Sequence, residues 1–367
     1  MTWLPESLRQ LRRDLLFLVL LAVAIVLAIA LPSRVGGWPA LVDWPTIAAL
    51  AGLLVLTKGV ERSGALDIAG RWLIDRTSTR RVAAIGLVAA TALLSMLLTN
   101  DVALFVMVPL TLSMCRIARM PATRLVVFEA LAVNAGSMLT PIGNPQNLFV
   151  WQQWNNGFGA FVWAMLPLAG IALVLLLALT AIAFPSTPLE VHERSEESVD
   201  RPMLVVAAAL YIPFIVLTDL HEVAWALGGV LAVFLILRRR VVAAIDWGLL
   251  LTFVLMFIDL RLLAGLDAVK AFVGGLGLQQ AGHLYATGAL ASQVVSNVPA
   301  AILLAEYSHD WRTIAFGVNV GGFGFMVGSL ANLIALRLLG ERKAYGTFHL
   351  WSVPFFVVMG LIGWLLL

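Results

Sequence analysis

Val133-Asn134-Ala135-Gly136-Ser137-Met138-Leu139-Thr140-Pro141-Ile142-Gly143-Asn144-Pro145-Gln146-Asn147-Leu148 sets prolines, glycines and asparagines inside a long apolar run. A helix cannot keep its hydrogen bonds through Thr140–Pro145, because each proline removes a donor and crowds the preceding turn. Two half-helices must result, with Asn144 placed as an N-cap before a proline at the first helical position. The window returns at 318–333, where Val318, Asn319, Gly321, Gly328, Asn332 and Leu333 match at one fixed offset. Six identities in sixteen positions stand against about one expected at residue frequencies of around 7%. Gly324-Phe325-Met326-Val327-Gly328-Ser329 is the corresponding break, with Ser329 in the place of Asn144.

The chain around these windows belongs in a bilayer. Of its 367 residues 61% are hydrophobic and 12% charged, and its mean hydropathy is +0.96. A soluble domain carries about 25% charged residues, so a water-facing surface cannot be built here. The apolar runs are long and unbroken rather than alternating, which makes the spans helical and excludes a β-barrel. A single cysteine, Cys115, allows no intramolecular disulfide and no cysteine metal cluster. The pI near 9.3 with a net charge of +3 needs no nucleic acid, since basic residues are retained on the cytoplasmic side of membrane proteins. The polar, basic start Met1–Arg13 leads into Leu15–Leu31 with no small-residue cleavage pattern behind it, so no cleavable signal is expected.

Charge fixes an expected path. With the N-terminus cytoplasmic, and the runs at 83–115 and 284–305 each returning to the side they left, about nine spans of roughly 20 residues remain and the C-terminus lies outside. Only Arg34, Arg261, Lys270 and Arg312 then fall outside, leaving twenty of the 24 Lys and Arg inside, a bias in the sense of the positive-inside rule. Pro185–Arg201 reads as a cytoplasmic linker, and Asp67–Arg81 as an amphipathic helix lying in the interface.

Further matches extend the repeat. Thr99-Asn100 corresponds to Ser296-Asn297 and Asp43-Trp44 to Asp246-Trp247, with Lys58 and Arg261 equally far beyond the Asp-Trp pairs. The expected organisation is a first repeat over 1–184 (hairpin 83–118, broken helix 125–151), a linker over 185–201 and a connecting helix over 202–218. A second repeat follows over 219–367 (hairpin 280–306, broken helix 312–337). The single connecting span makes the second repeat enter from the opposite face, an inverted arrangement that places the site near the midplane. The fold class is thus all-α and polytopic, with about nine transmembrane helices, two re-entrant hairpins and two discontinuous helices. Two full spans joined by a tight turn would return each hairpin to the same side equally well.

Polar groups at that depth mark function. Freed backbone at membrane depth is tolerated only around a protein-lined or wet cavity. Converging helix N-termini, with Asn100 and Asn297 standing where they can cap the second arm of each hairpin, offer N–H groups to an anion. Freed carbonyls, with the oxygens of Thr99, Asn100, Asn134, Asn144, Asn147, Ser296, Asn297, Asn319, Ser329 and Asn332, offer ligands to a small hard cation such as Na⁺. Asp101, facing Val298 in the repeat, is the candidate coupling carboxylate, for an acid at a hairpin tip is costly unless it carries a proton or cation. Glu129 is a second candidate, or else a boundary residue paired to Arg124. Asp259 and Arg261 read as an ion pair near the outer end of their span, or alternatively as a gate. The five histidines show no zinc-ligand spacing, and HExxH, GxSxG and Walker motifs are absent from the sequence. An enzyme, a resident cofactor and a nucleic-acid partner are therefore not expected.

Leu98-Thr99-Asn100-Asp101, the run Ala132–Asn147 and Ser296-Asn297-Val298-Pro299 resemble the ion-transporter superfamily of arsenite permeases, sodium/proton antiporters and citrate or di/tricarboxylate symporters. The resemblance covers nearly the whole chain. It implies a scaffold and a moving transport unit of elevator type, usually in a homodimer in the inner membrane. It also implies Na⁺ and carboxylate sites at Thr99, Asn100, Gly143 and Asn144 on one side, and at Ser296, Asn297, Gly328 and Ser329 on the other. This chain departs at the third tip position, where the carboxylate branch has threonine and Asp101 and Val298 stand here. That departure points from Na⁺ toward proton coupling. The function expected is cation-coupled transport of a small anion or oxyanion, with a Na⁺/H⁺ antiporter or a channel-like uniporter as rivals.

Overall fold

The computed structural model describes residues 15–65, 77–118, 120–154, 156–188, 199–341 and 343–367. The described residues are all-helical, with only an isolated β-bridge between Thr79 and Pro188. The interfacial helix expected over Asp67–Arg81 and most of the linker over Pro185–Arg201 lie outside the described residues.

The first part of the chain comprises α1 (Leu15–Ala30), a 3-10 turn (Pro32–Gly37), α2 (Trp38–Leu41) and α3 (Trp44–Arg62). There follow α4 (Arg80–Leu97), α5 (Asn100–Ala118), α6 (Ala122–Ser137), α7 (Pro145–Gln153) and α8 (Phe158–Ala183). The second part comprises α9 (Arg201–Asp219), α10 (Val223–Ala243), α11 (Trp247–Ala264), α12 (Asp267–Gly274), α13 (Ala281–Val295) and α14 (Asn297–Ala305). It ends with α15 (Trp311–Gly321), α16 (Leu330–Leu339) and α17 (Ala344–Leu365). Among the described residues α4, α8, α9, α11 and α17 are long and apolar enough to cross a membrane. The α1 segment with the bent stretch to Leu41 makes a sixth if counted as one span.

Local chemistry sets the helix starts. Asp43 accepts from Thr46 N at 2.9 Å and Asp246 from Leu249 N at 3.0 Å, capping α3 and α11. The adjoining indoles behave alike: Trp44 donates to Pro39 O and Trp247 to Val242 O. Asp200 and Asp310 cap α9 and α15 in the same manner. At the other end of α8, Arg124 donates to Ala183 O at 2.8 Å and Arg81 to Phe184 O at 3.0 Å. Cations there complement the negative end of the helix.

Packing follows a reciprocal plan. α4 lies along α6 and α13 along α15, while α5 touches α16 and α14 touches α7. α6 packs on α17 and α8, and so does α15. Lipid offers no hydrophobic drive between helices, so close approach at small residues carries much of this packing. A Cβ on Gly136 would lie 2.1 Å from Ala92 O, and one on Gly321 2.4 Å from Ser292 Cβ. α3 packs against α9 and α10, and α1 against α11. Outward side chains such as Ile182, Ile236 and Trp163 are exposed apolar groups, as a lipid-facing surface requires.

Candidate functional site

The first helix pair breaks at Leu98-Thr99. α4 ends at Leu97, whose carbonyl accepts from the Tyr211 hydroxyl of α9, and α5 begins at Asn100. Asn100 N donates to Gly143 O at 2.8 Å, which ties this tip to the break between α6 and α7. Thr140 Oγ1 donates to Met96 O at 2.6 Å across the same contact. Asn100 and Asn297 are the first residues of their helices, with Ser296 at the N-cap of α14, so neither asparagine takes the capping position that the sequence suggested. Asn100 Oδ1 instead accepts from Asp101 N at 2.9 Å. Asp101 is half-buried. At the second tip Ser296 adopts φ 73°, in the left-handed region that a non-glycine residue rarely occupies, and its hydroxyl donates to Asn297 Oδ1 at 3.5 Å.

Asn144 caps α7 as expected, accepting from Asn147 N at 2.9 Å. Ser329 holds the N-cap of α16 without a side-chain bond. Gly143 and Gly328 both lie where a Cβ would strike backbone, at 2.4 Å from Ser137 O and 2.5 Å from Gly321 O. Only glycine lets the chain fold back so tightly.

Four of the predicted asparagines form one buried, reciprocal clasp. Asn134 Nδ2 donates to Asn332 Oδ1 at 2.8 Å, and Asn319 Nδ2 donates to Asn147 Oδ1 at 2.7 Å. Each of these donors also bonds the carbonyl four residues back, Ala130 O at 2.9 Å and Ala315 O at 2.8 Å. Asn332 Nδ2 donates to Gly322 O at 2.9 Å, and Asn147 Nδ2 reaches Ser137 O, Met138 O and Thr140 O, each at 3.2 Å. The asparagines thus satisfy the carbonyls that the breaks set free, and they bind one broken helix to the other. Asn319 Oδ1 accepts in addition from Asn144 Nδ2 at 3.1 Å and Gln146 Nε2 at 3.4 Å.

Other polar atoms stay unpaired. Thr99 Oγ1, Asn297 Nδ2 and Gln146 Oε1 are buried with no hydrogen-bond partner among the described residues. They sit at the starts of α5, α14 and α7. A free amide N–H₂ suits an anion, and free amide and hydroxyl oxygens suit a hard cation. No group of three or more His, Cys, Asp or Glu gathers among the described residues.

Sequence reasoning overlooked Gln146 and Gln293. Gln293 Nε2 donates to Gly321 O at 2.6 Å, and its Oε1 accepts from Phe325 N at 2.6 Å, which pins the second hairpin to the second break. An amide lodged in an apolar run was the available signal for both. The expected Asp259–Arg261 pair is not formed. Arg261 instead binds Glu306 at 3.0 Å, Leu41 O at 2.7 Å and Gln153 Oε1 at 3.4 Å, while both Asp259 oxygens are buried without a partner among the described residues. Residues two apart on a helix do not face each other. Arg124 likewise turns to the end of α8 rather than to Glu129.

A sequence model described as citrate transporter matches residues 5–309 of the chain. The chain belongs to the citrate transporter family. Inner membrane protein YbiR of Escherichia coli (strain K12) is 45% identical over 361 residues, covering 98% of this chain and 97% of that one. The uncharacterized transporter MJ0456 of Methanocaldococcus jannaschii is 32% identical over 321 residues, 84% and 85% of the two chains. Silicon efflux transporter LSI3 of Oryza sativa subsp. japonica is 32% identical over 140 residues, 38% of this chain and 29% of that one. Membership of the citrate transporter family makes this a membrane transport protein, and its composition and apolar helices fit the membrane setting.

Proposed function

We propose that the protein is a cation-coupled secondary transporter of a small anion or oxyanion, working by alternating access of elevator type. The observation that carries this reading is the trio of buried polar atoms at three helix starts that have no partner among the described residues: Thr99 Oγ1, Asn297 Nδ2 and Gln146 Oε1. The asparagine clasp supports it, because it binds both broken helices into one body able to move as a unit. The reciprocal packing of α5 on α16 and α14 on α7 supports two inverted repeats. α14, with 9 residues, rises about 14 Å and cannot cross a hydrocarbon core of about 30 Å, which supports a re-entrant second hairpin. In this reading about nine spans cross the inner membrane with the N-terminus cytoplasmic and the C-terminus outside, and two chains form a homodimer.

Asp101 is the coupling carboxylate, taking H⁺ or Na⁺. No Arg or Lys stands among the residues assigned to the site, so an anion is held by helix N-termini, amide groups and a co-bound cation. A citrate-transporting family and a relative named for silicon efflux both fit a small oxygen-rich solute. The test is thermal unfolding of the detergent-purified protein in Na⁺ against choline at two pH values, with citrate, succinate, sulfate, phosphate and arsenite added in turn. Ligands of the folded state raise the melting point. One anion stabilising only together with Na⁺ or at one pH is the expected result. Stabilisation by cations alone would favour an antiporter without organic substrate and overturn the assignment.

A further inference from the structure

Glu129 lies in α6, fully buried, at the meeting of α6 with α4 and α5. Its Oε1 accepts from Thr111 Oγ1 of α5 at 2.5 Å and lies 3.5 Å from Thr91 Oγ1 of α4. Thr91 has one hydroxyl proton, and Leu87 O receives it at 2.7 Å. The 3.5 Å contact therefore lacks a donor unless the carboxyl supplies one. Oε2 has no partner among the described residues.

An ionised carboxylate with a single hydroxyl donor is not sustained in a dry interior, where a buried charge needs a counter-charge or several donors. Among the described side chains the elements packed on α6 offer neither: Arg80 opens α4, eleven residues and about 16 Å before Thr91. Arg124 and Arg81 serve the end of α8, and α8 carries no titratable residue. On α5 the buried Cys115 is the titratable neighbour beyond Thr111 among the described side chains; Arg116 follows it in the last turn, and Asp101 lies at the opposite end of that helix. α16 contributes only Arg337, in its last turn, and α17 contributes Tyr345 and His349, in its first two turns. The second half lacks the trio: Gly288 stands at the place of Thr91 and Ile314 at that of Glu129.

We propose that Glu129, held by Thr111 and Thr91, is an occluded proton-binding site of the transport unit, loaded in this conformation and separate from the hairpin tips. This rests on the cation-coupled reading above. Glu129 lies seven residues into α6 and five before Asn134, about 10 Å from the helix start and about 8 Å from the clasp. A proton there sits between the inner face and the midplane. The carboxyl gains it from cytoplasmic water and returns it to water when the unit moves.

Infrared difference spectra of wild type and Glu129→Gln, in H₂O and D₂O at neutral pH, test this without any substrate. The expected result is a protonated-carboxyl C=O band lost in Glu129→Gln, shifted in frequency by Thr111→Val, and downshifted in D₂O as the proton exchanges. Unchanged melting points of both variants would show that the fold is intact. A carboxylate band pair in place of the C=O band, or a C=O band that never exchanges, overturns the proposal. A wrong substrate class leaves these spectra untouched, so the two failures are distinguishable.

Discussion

Asn134→Ala deletes two hydrogen bonds, to Ala130 O at 2.9 Å and Asn332 Oδ1 at 2.8 Å, and orphans the latter acceptor in the interior. Asn332→Ala deletes the same shared bond and releases Gly322 O. A buried group left unpaired costs about 1–3 kcal/mol, against about 0.5–1.5 kcal/mol net for a satisfied bond. Each single variant should therefore lose about 2 kcal/mol. The double variant counts the shared bond once and leaves no orphaned amide, so it should fall short of the sum by about 0.6–1.5 kcal/mol. The assay is equilibrium unfolding in mixed micelles, followed by tryptophan fluorescence, for the singles and the double. The Asn147–Asn319 pair should show the same sign of coupling. Strict additivity in both cycles would refute the clasp as an energetic link between the two broken helices.

Gly136→Ala and Gly321→Ala should each cost at least about 1–3 kcal/mol of overpacking, since the new Cβ meets helix atoms at 2.1 Å and 2.4 Å. Gly170→Ala, with open space around its Cβ, should gain up to about 1 kcal/mol; equal melting points for all three would sink the close-packing argument. Asp101→Asn should abolish ion-coupled uptake into proteoliposomes while the melting point holds, and a wild-type pH dependence of uptake in that variant would remove Asp101 from coupling. Arg261→Lys should loosen the junction of α11, α14, α7 and α2, because an ammonium cannot reproduce the guanidinium's separate bonds to Glu306, Gln153 and Leu41. Faster trypsin cleavage of the variant is the expected readout, and a wild-type digestion rate would show that the junction carries no stability.

Much of the fold was legible because its signals are local. Proline and glycine at 140–145 and 324–328 break helices whatever surrounds them, and Asp43, Asp246 and Asn144 cap helices through bonds three residues long. The capping roles given to Asn100 and Asn297 failed by one residue, since a turn's register depends on how the two arms meet. Gln146 and Gln293 stayed hidden among the residues around the breaks because their importance lies in which carbonyl or amide they reach.

By itself the sequence determined the membrane class, the helical architecture, the positions of the four breaks and which polar residues stand beside them. These follow from composition, from lost backbone donors and from charge. Only the tertiary structure decided the partners: Asn134 with Asn332, 198 residues away, Asn319 with Asn147 across 172, Arg261 with Glu306 rather than Asp259, and Glu129 with two threonines rather than Arg124. A buried amide or carboxyl bonds whatever the crossing of distant helices brings within 3 Å or so, and no local pattern encodes that crossing.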